Sequence, residues 1–247
     1  MGIVLLSLFV ISCAKEPQPE MTVEPMERAE TRPEIYADFT LTADLSHLDD
    51  EQKAMIVLLI EASDIMDDLF WRQSFGDDYR EWLDSIETDR ERQFAELNYG
   101  PWDALDDDKP FMDGFGPKPL GAQFYPEDMS KEEFETTFLQ GKTDLYTFIR
   151  RDATGELTVV PYHVEYAKEL AEAARLLREA ADLSKSPDFA NYQNLRAAAL
   201  ISDDFQLSDS DWMDVKDNEI DVVIGPIETY LDRLYGYKAA YESYVLI

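Results

Sequence analysis

The run from Asp50 to Gln73 constrains this chain more than any other stretch. Met55, Leu58, Leu59, Ala62, Ile65, Met66, Leu69 and Phe70 recur at spacings of three and four, the period of one helix face. The spacing predicts an amphipathic helix over 50–73, and Ser46-His-Leu-Asp49 before it reads as a capping box. Asp64, Asp67 and Asp68 fall on the other face and read as solvated rather than as ligands for a hard cation. A second helix is predicted over 78–97, with Trp82, Leu83, Ile86, Phe94 and Leu97 inward. Ser130-Lys-Glu-Glu133 is another capping box, opening a short helix to about Leu139. Tyr166 to Leu183 carries an apolar stripe through Leu170, Ala173, Ala174, Leu177 and Ala181. Pro187 opens a further helix through Phe189, Tyr192, Leu195 and Ala199, and the two read as an antiparallel pair.

Strand signals are fewer. Leu145-Tyr-Thr-Phe-Ile-Arg-Arg and Glu156-Leu-Thr-Val-Val-Pro-Tyr alternate and flank Asp152-Ala-Thr-Gly155, which predicts a β-hairpin. Ser208-Asp-Ser-Asp-Trp212-Met-Asp reads as a polar turn around a buried aromatic. Val222, Val223 and Ile224 then form a β-branched run that Gly225-Pro226 is expected to break. Glu228, Tyr230 and Asp232 follow at alternate positions, which share one face if the extended form continues. By spacing alone they either hold a cation or amine, or lie solvated with Tyr230 packed. The fold class is α+β, predominantly helical, with one hairpin and a terminal strand.

Residues 98–130 differ again. Asn98-Tyr-Gly-Pro-Trp-Asp and Phe111-Met-Asp-Gly-Phe-Gly-Pro mix glycine, proline and aromatics. The aromatics call for burial, so this reads as a long ordered loop, a type often tied to function. Asp106-Asp-Asp108 and Asp113-Gly lack the alternating spacing and closing glutamate of a calcium loop. With 53 acidic against 22 basic residues the net charge is −31. That balance disfavours nucleic acid, whose phosphates need basic clusters, and is compatible with cationic substrates or peptide amines. Its blander consequence is solubility in a salty environment. The two histidines, His47 and His163, lie far apart and form no metal-ligand pair.

At the amino terminus, Ile3 to Ile11 is an apolar run too short to span a bilayer, which takes about 20 residues. With Val10-Ile-Ser-Cys13 after it, the segment resembles a bacterial lipoprotein signal, although no Lys or Arg precedes it. Residues 1–13 are therefore expected to be a signal segment, Cys13 the lipidated residue, and 14–36, rich in proline and glutamate, a flexible tether. Ala14 after the cysteine points to the outer membrane, facing the periplasm. The membrane would be met through the lipid anchor, and the folded part would run over 37–247. The apolar end Tyr244-Val-Leu-Ile247 reads as that of a fragment.

Several segments in order resemble one family. They are Gly100-Pro-Trp102, Lys118-Pro-x-x-Ala122-x-Phe124-Tyr-Pro126-x-Asp128-Met, Phe148-Ile-Arg-Arg, Val160-Pro-Tyr-His-Val-Glu-Tyr166, Ile224-Gly-Pro-Ile-Glu-Thr-Tyr-x-Asp232 and Tyr237-Lys-Ala-Ala-Tyr-Glu-Ser. Together they resemble the N-terminal part of dipeptidyl peptidase III-like zinc metallopeptidases, nearest the branch found in bacteria and fused to Nudix domains in plants. The resemblance covers roughly residues 37–247. It implies part of a two-lobed peptidase with the peptide in the cleft. It also implies that Glu228 and Tyr230 grip the substrate's free amino terminus, with Asp232 expected to support them.

The resemblance also implies a zinc held on a His-Glu-x-x-(x)-His helix and by a later glutamate. This chain has no such motif, so it carries no catalytic or metal residues of its own and is expected to be inactive alone. A catalytic zinc needs three protein ligands and an open position. The expected function is the substrate-binding part of a zinc-dependent dipeptidyl peptidase, the zinc lying on residues outside this chain. The alternatives are a surface lipoprotein that binds peptides or a partner without catalysis, and a branch with another hydrolase activity. The region after Asp221 is expected to be exposed and poorly packed without a partner lobe.

Overall fold

The computed structural model describes residues 27–216 and 218–247. The apolar segment at 3–11, Cys13 and residues 14–26 lie outside the described residues. Among the described residues, no helix is long and apolar enough to cross a membrane.

The first long helix is α1, Asp50–Ser74. Its cap differs from the expected one: Asp49 accepts from the Gln52 amide, and the Gln52 side chain returns to the Asp49 amide. Two orphan donors of the first turn are thereby satisfied reciprocally. Leu59, Ala62, Met66 and Leu69 on its apolar face are fully buried. The predicted helix over 78–97 is two helices, α2 (Tyr79–Ser85) and α3 (Asp89–Asn98). Ile86 turns extended to bury its side chain, and the Thr88 hydroxyl accepts from the Glu91 amide to start α3. That local side-chain bond competes with a continuous helix. Residues 27–36 are not tether-like: Ala29 and Pro33 are buried, Arg32 pairs with the buried Asp103 at 2.8 Å, and Tyr36 stacks edge-on against Phe94.

The long loop is ordered, as its aromatics require. Two short strands, β1 (Trp102–Asp103) and β2 (Lys109–Pro110), pair within it. Phe75, Trp82, Trp102 and Phe115 cluster with ring centroids 4.3–6.3 Å apart. Helix α4, Lys131–Thr136, is capped by Ser130, which accepts from the Glu133 amide. The Glu133 carboxylate turns instead to Arg151, which also binds Asp128. The hairpin is present as β3 (Thr147–Arg151) and β4 (Leu157–Pro161), with Phe148 opposite Val160.

A single turn, α5 (Tyr162–Glu165), leads into α6 (Ala167–Asp182) and α7 (Pro187–Leu200), which pack together. The supposed polar turn at 208–214 is a helix, α8 (Gln206–Asp214), and Trp212 is partly exposed rather than buried. Strand β5, Asp221–Glu228, runs straight through Gly225-Pro226 instead of breaking there. It pairs with β6, Ala240–Leu246, around a bulge between Pro226 and Glu228. Bulges and strand ends are where a strand tolerates proline. Gly225 sits at φ +132°, with Phe205 3.3 Å from where a Cβ would stand.

The architecture is α+β and mostly helical, with three small antiparallel two-stranded sheets among the described residues. Helix α1 lies between α6 and the β5–β6 hairpin. The closing region is well packed on that side, contrary to expectation, while Tyr230, Tyr244, Leu246 and Ile247 are exposed, as expected. Val222, Ile224, Ala240 and Tyr241 are buried. Gln73, at the end of α1, accepts from the Tyr241 amide at 2.8 Å, and Ser63 meets Ser243 at 2.8 Å.

Candidate functional site

The three residues singled out by spacing do not share a face, because the strand ends at the bulge. Glu228 closes β5 opposite Ala240 and is half-buried. Tyr230 lies in the turn that follows and is exposed. Asp232 turns inward and is buried. Its carboxylate accepts from the Tyr125 hydroxyl at 2.8 Å and from the backbone amides of Leu234, Tyr235, Tyr237 and Lys238 at 2.9–3.2 Å. Asp232 therefore holds the fold of the 229–239 loop. Lys238, fully buried, completes the loop by donating to the Lys142 and Asp144 carbonyls and the Thr147 hydroxyl at 2.7–3.0 Å. Burial lowers its ammonium to about 8.

Around Tyr230 the hairpin and α1 bring together groups that spacing did not. The Tyr230 hydroxyl donates to one oxygen of Glu242, and the Tyr244 hydroxyl donates to the other at 2.6 Å. The Tyr99 hydroxyl donates to Asp67, on α1, at 2.6 Å. These side chains line a cavity of about 280 Å³, and no lysine or arginine among the described residues lines it. Glu228 is near enough for its charge to raise both Tyr230 and Tyr244. The bond to Glu242 pushes Tyr244 up to about 12. Desolvation and the same carboxylate raise Tyr230, and desolvation and Asp67 raise Tyr99. The phenols thus stay protonated, and the acidic side chains that line the cavity are Asp67 and Glu242. Such a concave anionic patch draws cations, and each carboxylate can accept a charge-assisted bond from an ammonium.

Glu242 and Tyr244 stand two residues apart on β6, so they share one face. Recognising them from sequence required pairing the apolar end of the chain with β5. Asp67 lies on the helix face that its sequence pattern marks as solvated; it is exposed, and the contact with Tyr99 is what sets it apart.

The histidines do not assemble. His163 Nδ1 lies 2.7 Å from Asp203, whose carboxylate also accepts from the His163 amide. Among the described residues no group of three or more His, Cys, Asp or Glu side chains is placed to hold a metal. The donors among the described residues do not fit a catalytic zinc.

No family model matches the chain. It is 28% identical to Nudix hydrolase 3 of Arabidopsis thaliana over 272 aligned positions, covering 85% of this chain and 35% of that protein. Two solved structures are similar to it. DPP III from Caldithrix abyssi matches with a TM-score of 0.77 and 38% identity, over 82% of this chain and 40% of that one. Dipeptidyl-peptidase III from Corallococcus sp. strain EGB matches with a TM-score of 0.82 and 33% identity, over 89% of this chain and 44% of that one. The chain spans about a third to under a half of the length of these relatives. Sequence and fold together make it a partial dipeptidyl peptidase III-like region.

Proposed function

We propose that this dipeptidyl peptidase III-like region holds the free amino terminus of a peptide, as the substrate-binding part of a zinc-dependent dipeptidyl peptidase. The observation that supports the reading is the cavity lined by Asp67, Glu242 and four tyrosines, with no lysine or arginine among the described residues lining it and Glu228 beside it. An α-ammonium placed there meets carboxylates and phenol oxygens, and each charge-assisted bond contributes about 1.5–3 kcal/mol. Glu228 supplies the charge, Tyr230 a hydrogen bond, and Asp232 holds the loop that carries Tyr230. Fixing the amino end sets the register of the peptide, so that cleavage elsewhere in the whole protein releases a dipeptide. Zinc belongs to residues outside this chain, and no step of cleavage is assigned to the residues described here.

Calorimetric titration with Ala-Ala-Ala amide tests the reading. Glu228→Gln is expected to weaken binding about ten-fold or more, with the melting temperature unchanged. An unaltered Kd removes Glu228 from the role. Cys13 is proposed as the lipidated residue of an outer-membrane protein; Cys13→Ser should abolish incorporation of labelled fatty acid, and persistent labelling contradicts it.

A further inference from the structure

A hydroxyl has one hydrogen to donate and two lone pairs with which to accept. Six hydroxyls line the anionic cavity, and five of them have spent that hydrogen inside the protein. Tyr99 donates to Asp67 and Tyr244 to Glu242, both at 2.6 Å. Tyr230 donates to the other Glu242 oxygen. Ser63 lies 2.8 Å from the Leu59 carbonyl, which can only accept, so Ser63 is the donor there. Its 2.8 Å contact with Ser243 is therefore donated by Ser243. The sixth hydroxyl, Tyr241, is fully buried and has no partner among the described residues. The charges that bear on it are those of Asp203, Tyr166 and Tyr146, none of which lines the cavity. That places it in the core behind the cavity wall.

The carboxylates of Asp67 and Glu242 are acceptors, each oxygen with more than one lone pair. No lysine or arginine among the described residues lines the cavity. Its side chains thus offer a ligand oxygen lone pairs and no hydrogen. An ammonium suits such a lining, because it has three N–H donors and no lone pair. A neutral amine has two N–H donors and a nitrogen lone pair, and these side chains hold no donor to meet that lone pair. An acceptor taken out of water and left without a partner is unfavourable.

We propose that the cavity admits a peptide's amino terminus only as the ammonium, so that binding draws a proton from solution once the free amine has lost its own. The proposal rests on the amino-terminal reading above and adds to it the protonation state that the site selects. The proton passes from the buffer acid to the amine nitrogen, and no protein group changes its charge. The charged and titratable groups facing the ammonium are Asp67 on α1, Tyr99 on the 98–130 loop, Glu228 on β5, Tyr230 in the turn, and Glu242 and Tyr244 on β6. The phenols stay out of the exchange. The bond to Glu242 pushes Tyr244 up to about 12, and desolvation with the bonds to Glu242 and Asp67 raises Tyr230 and Tyr99. Lys238, in the same loop as Tyr230, turns its ammonium to the Lys142 and Asp144 carbonyls and lines no part of the cavity.

Calorimetric titration of the chain with Ala-Ala amide at about pH 7 and pH 9, each in two buffers of different ionisation heat, counts the protons. A free α-amino group titrates at about 7.7–8.0, so most of the peptide is ammonium at the lower pH and about a tenth or less at the higher. Uptake of about 0.9 proton per bound peptide is expected at the higher pH, with a Kd about ten- to twenty-fold weaker than at the lower. Lys238 titrates at about 8, within the same range, so a second measurement follows the ligand itself. Peptide labelled with ¹⁵N at its amino group should keep the ammonium resonance when bound at the higher pH. An equal Kd at both pH values with no buffer-dependent heat means that the amine enters neutral, which overturns the proposal and leaves the amino-terminal reading intact. Proton uptake with a neutral-amine resonance for the bound peptide puts the proton on the protein and overturns it as well. No binding at either pH removes the amino-terminal reading, and the proton uptake with it.

Discussion

Replacing Asp232 by alanine strips an acceptor from five donors at once. The Tyr125 hydroxyl and the Lys238 amide are in the interior, whereas the amides of Leu234, Tyr235 and Tyr237 lie in a loop that water reaches. An orphaned buried donor costs about 1–3 kcal/mol. Two buried donors, with a smaller contribution from the three amides that can recruit water, give about 3–5 kcal/mol of lost stability. At a urea slope of about 2–3 kcal/mol per molar, the midpoint falls by about 1–2.5 M. Asp232→Asn keeps one acceptor oxygen but turns an NH₂ toward donors, so it recovers only part of the loss. Hydrogen exchange of the Tyr237 and Lys238 amides should accelerate in both variants, ahead of the exchange of α1. If Asp232→Ala unfolds within about 1 kcal/mol of the unsubstituted chain, the loop does not depend on this carboxylate, and its part in presenting Tyr230 is wrong.

Other consequences are equally direct. Lys238 has a folded pKa of about 8, below its unfolded value of 10.5, so between these values the unfolded chain binds more protons. Its contribution to stability is therefore present above pH 10.5 and lost as pH falls through 8. Lys238→Met should abolish that rise in the difference between the two stability–pH curves. The buried phenols of Tyr162 and Tyr241 are raised above 10 by desolvation, so their contribution is complete below pH 10 and lost above it. Glu242→Gln should bring the Tyr244 phenol down from about 12 toward its ordinary value near 10, read by ultraviolet titration; an unmoved curve would place the cause elsewhere. Gly225→Ala should destabilise by about 1–3 kcal/mol, because the new Cβ would need φ +132° beside Phe205; a neutral result in chemical denaturation contradicts that geometry.

Segments whose fold is decided locally were legible in the sequence. Helix α1, the α6–α7 pair and the β3–β4 hairpin each follow from periodicity and turn chemistry. What escaped was decided by contacts distant in sequence. The split between α2 and α3 depends on Ile86 reaching a core that includes Ala29 and Phe111. Gly225-Pro226 reads as a breaker until β6 is present to pair across it, and β6 ends in the apolar run that reads as the end of a fragment. The site followed the same rule. Glu228 and Tyr230 were visible as an acid and a phenol on a resemblance, whereas Glu242, Tyr244 and Tyr99 join them only through the hairpin and the 98–130 loop. Asp232 shared their spacing yet turns inward, since alternation ends where the strand does.

A free ammonium is the group the site is proposed to recognise, and acetylation removes it with little other change. Calorimetric titration of the chain with Ala-Phe amide and with its N-acetyl form measures the difference in one comparison. Loss of one charge-assisted bond corresponds to about a ten- to hundred-fold weakening, and the account predicts at least that for the acetylated peptide. Equal affinity of the two forms would contradict it.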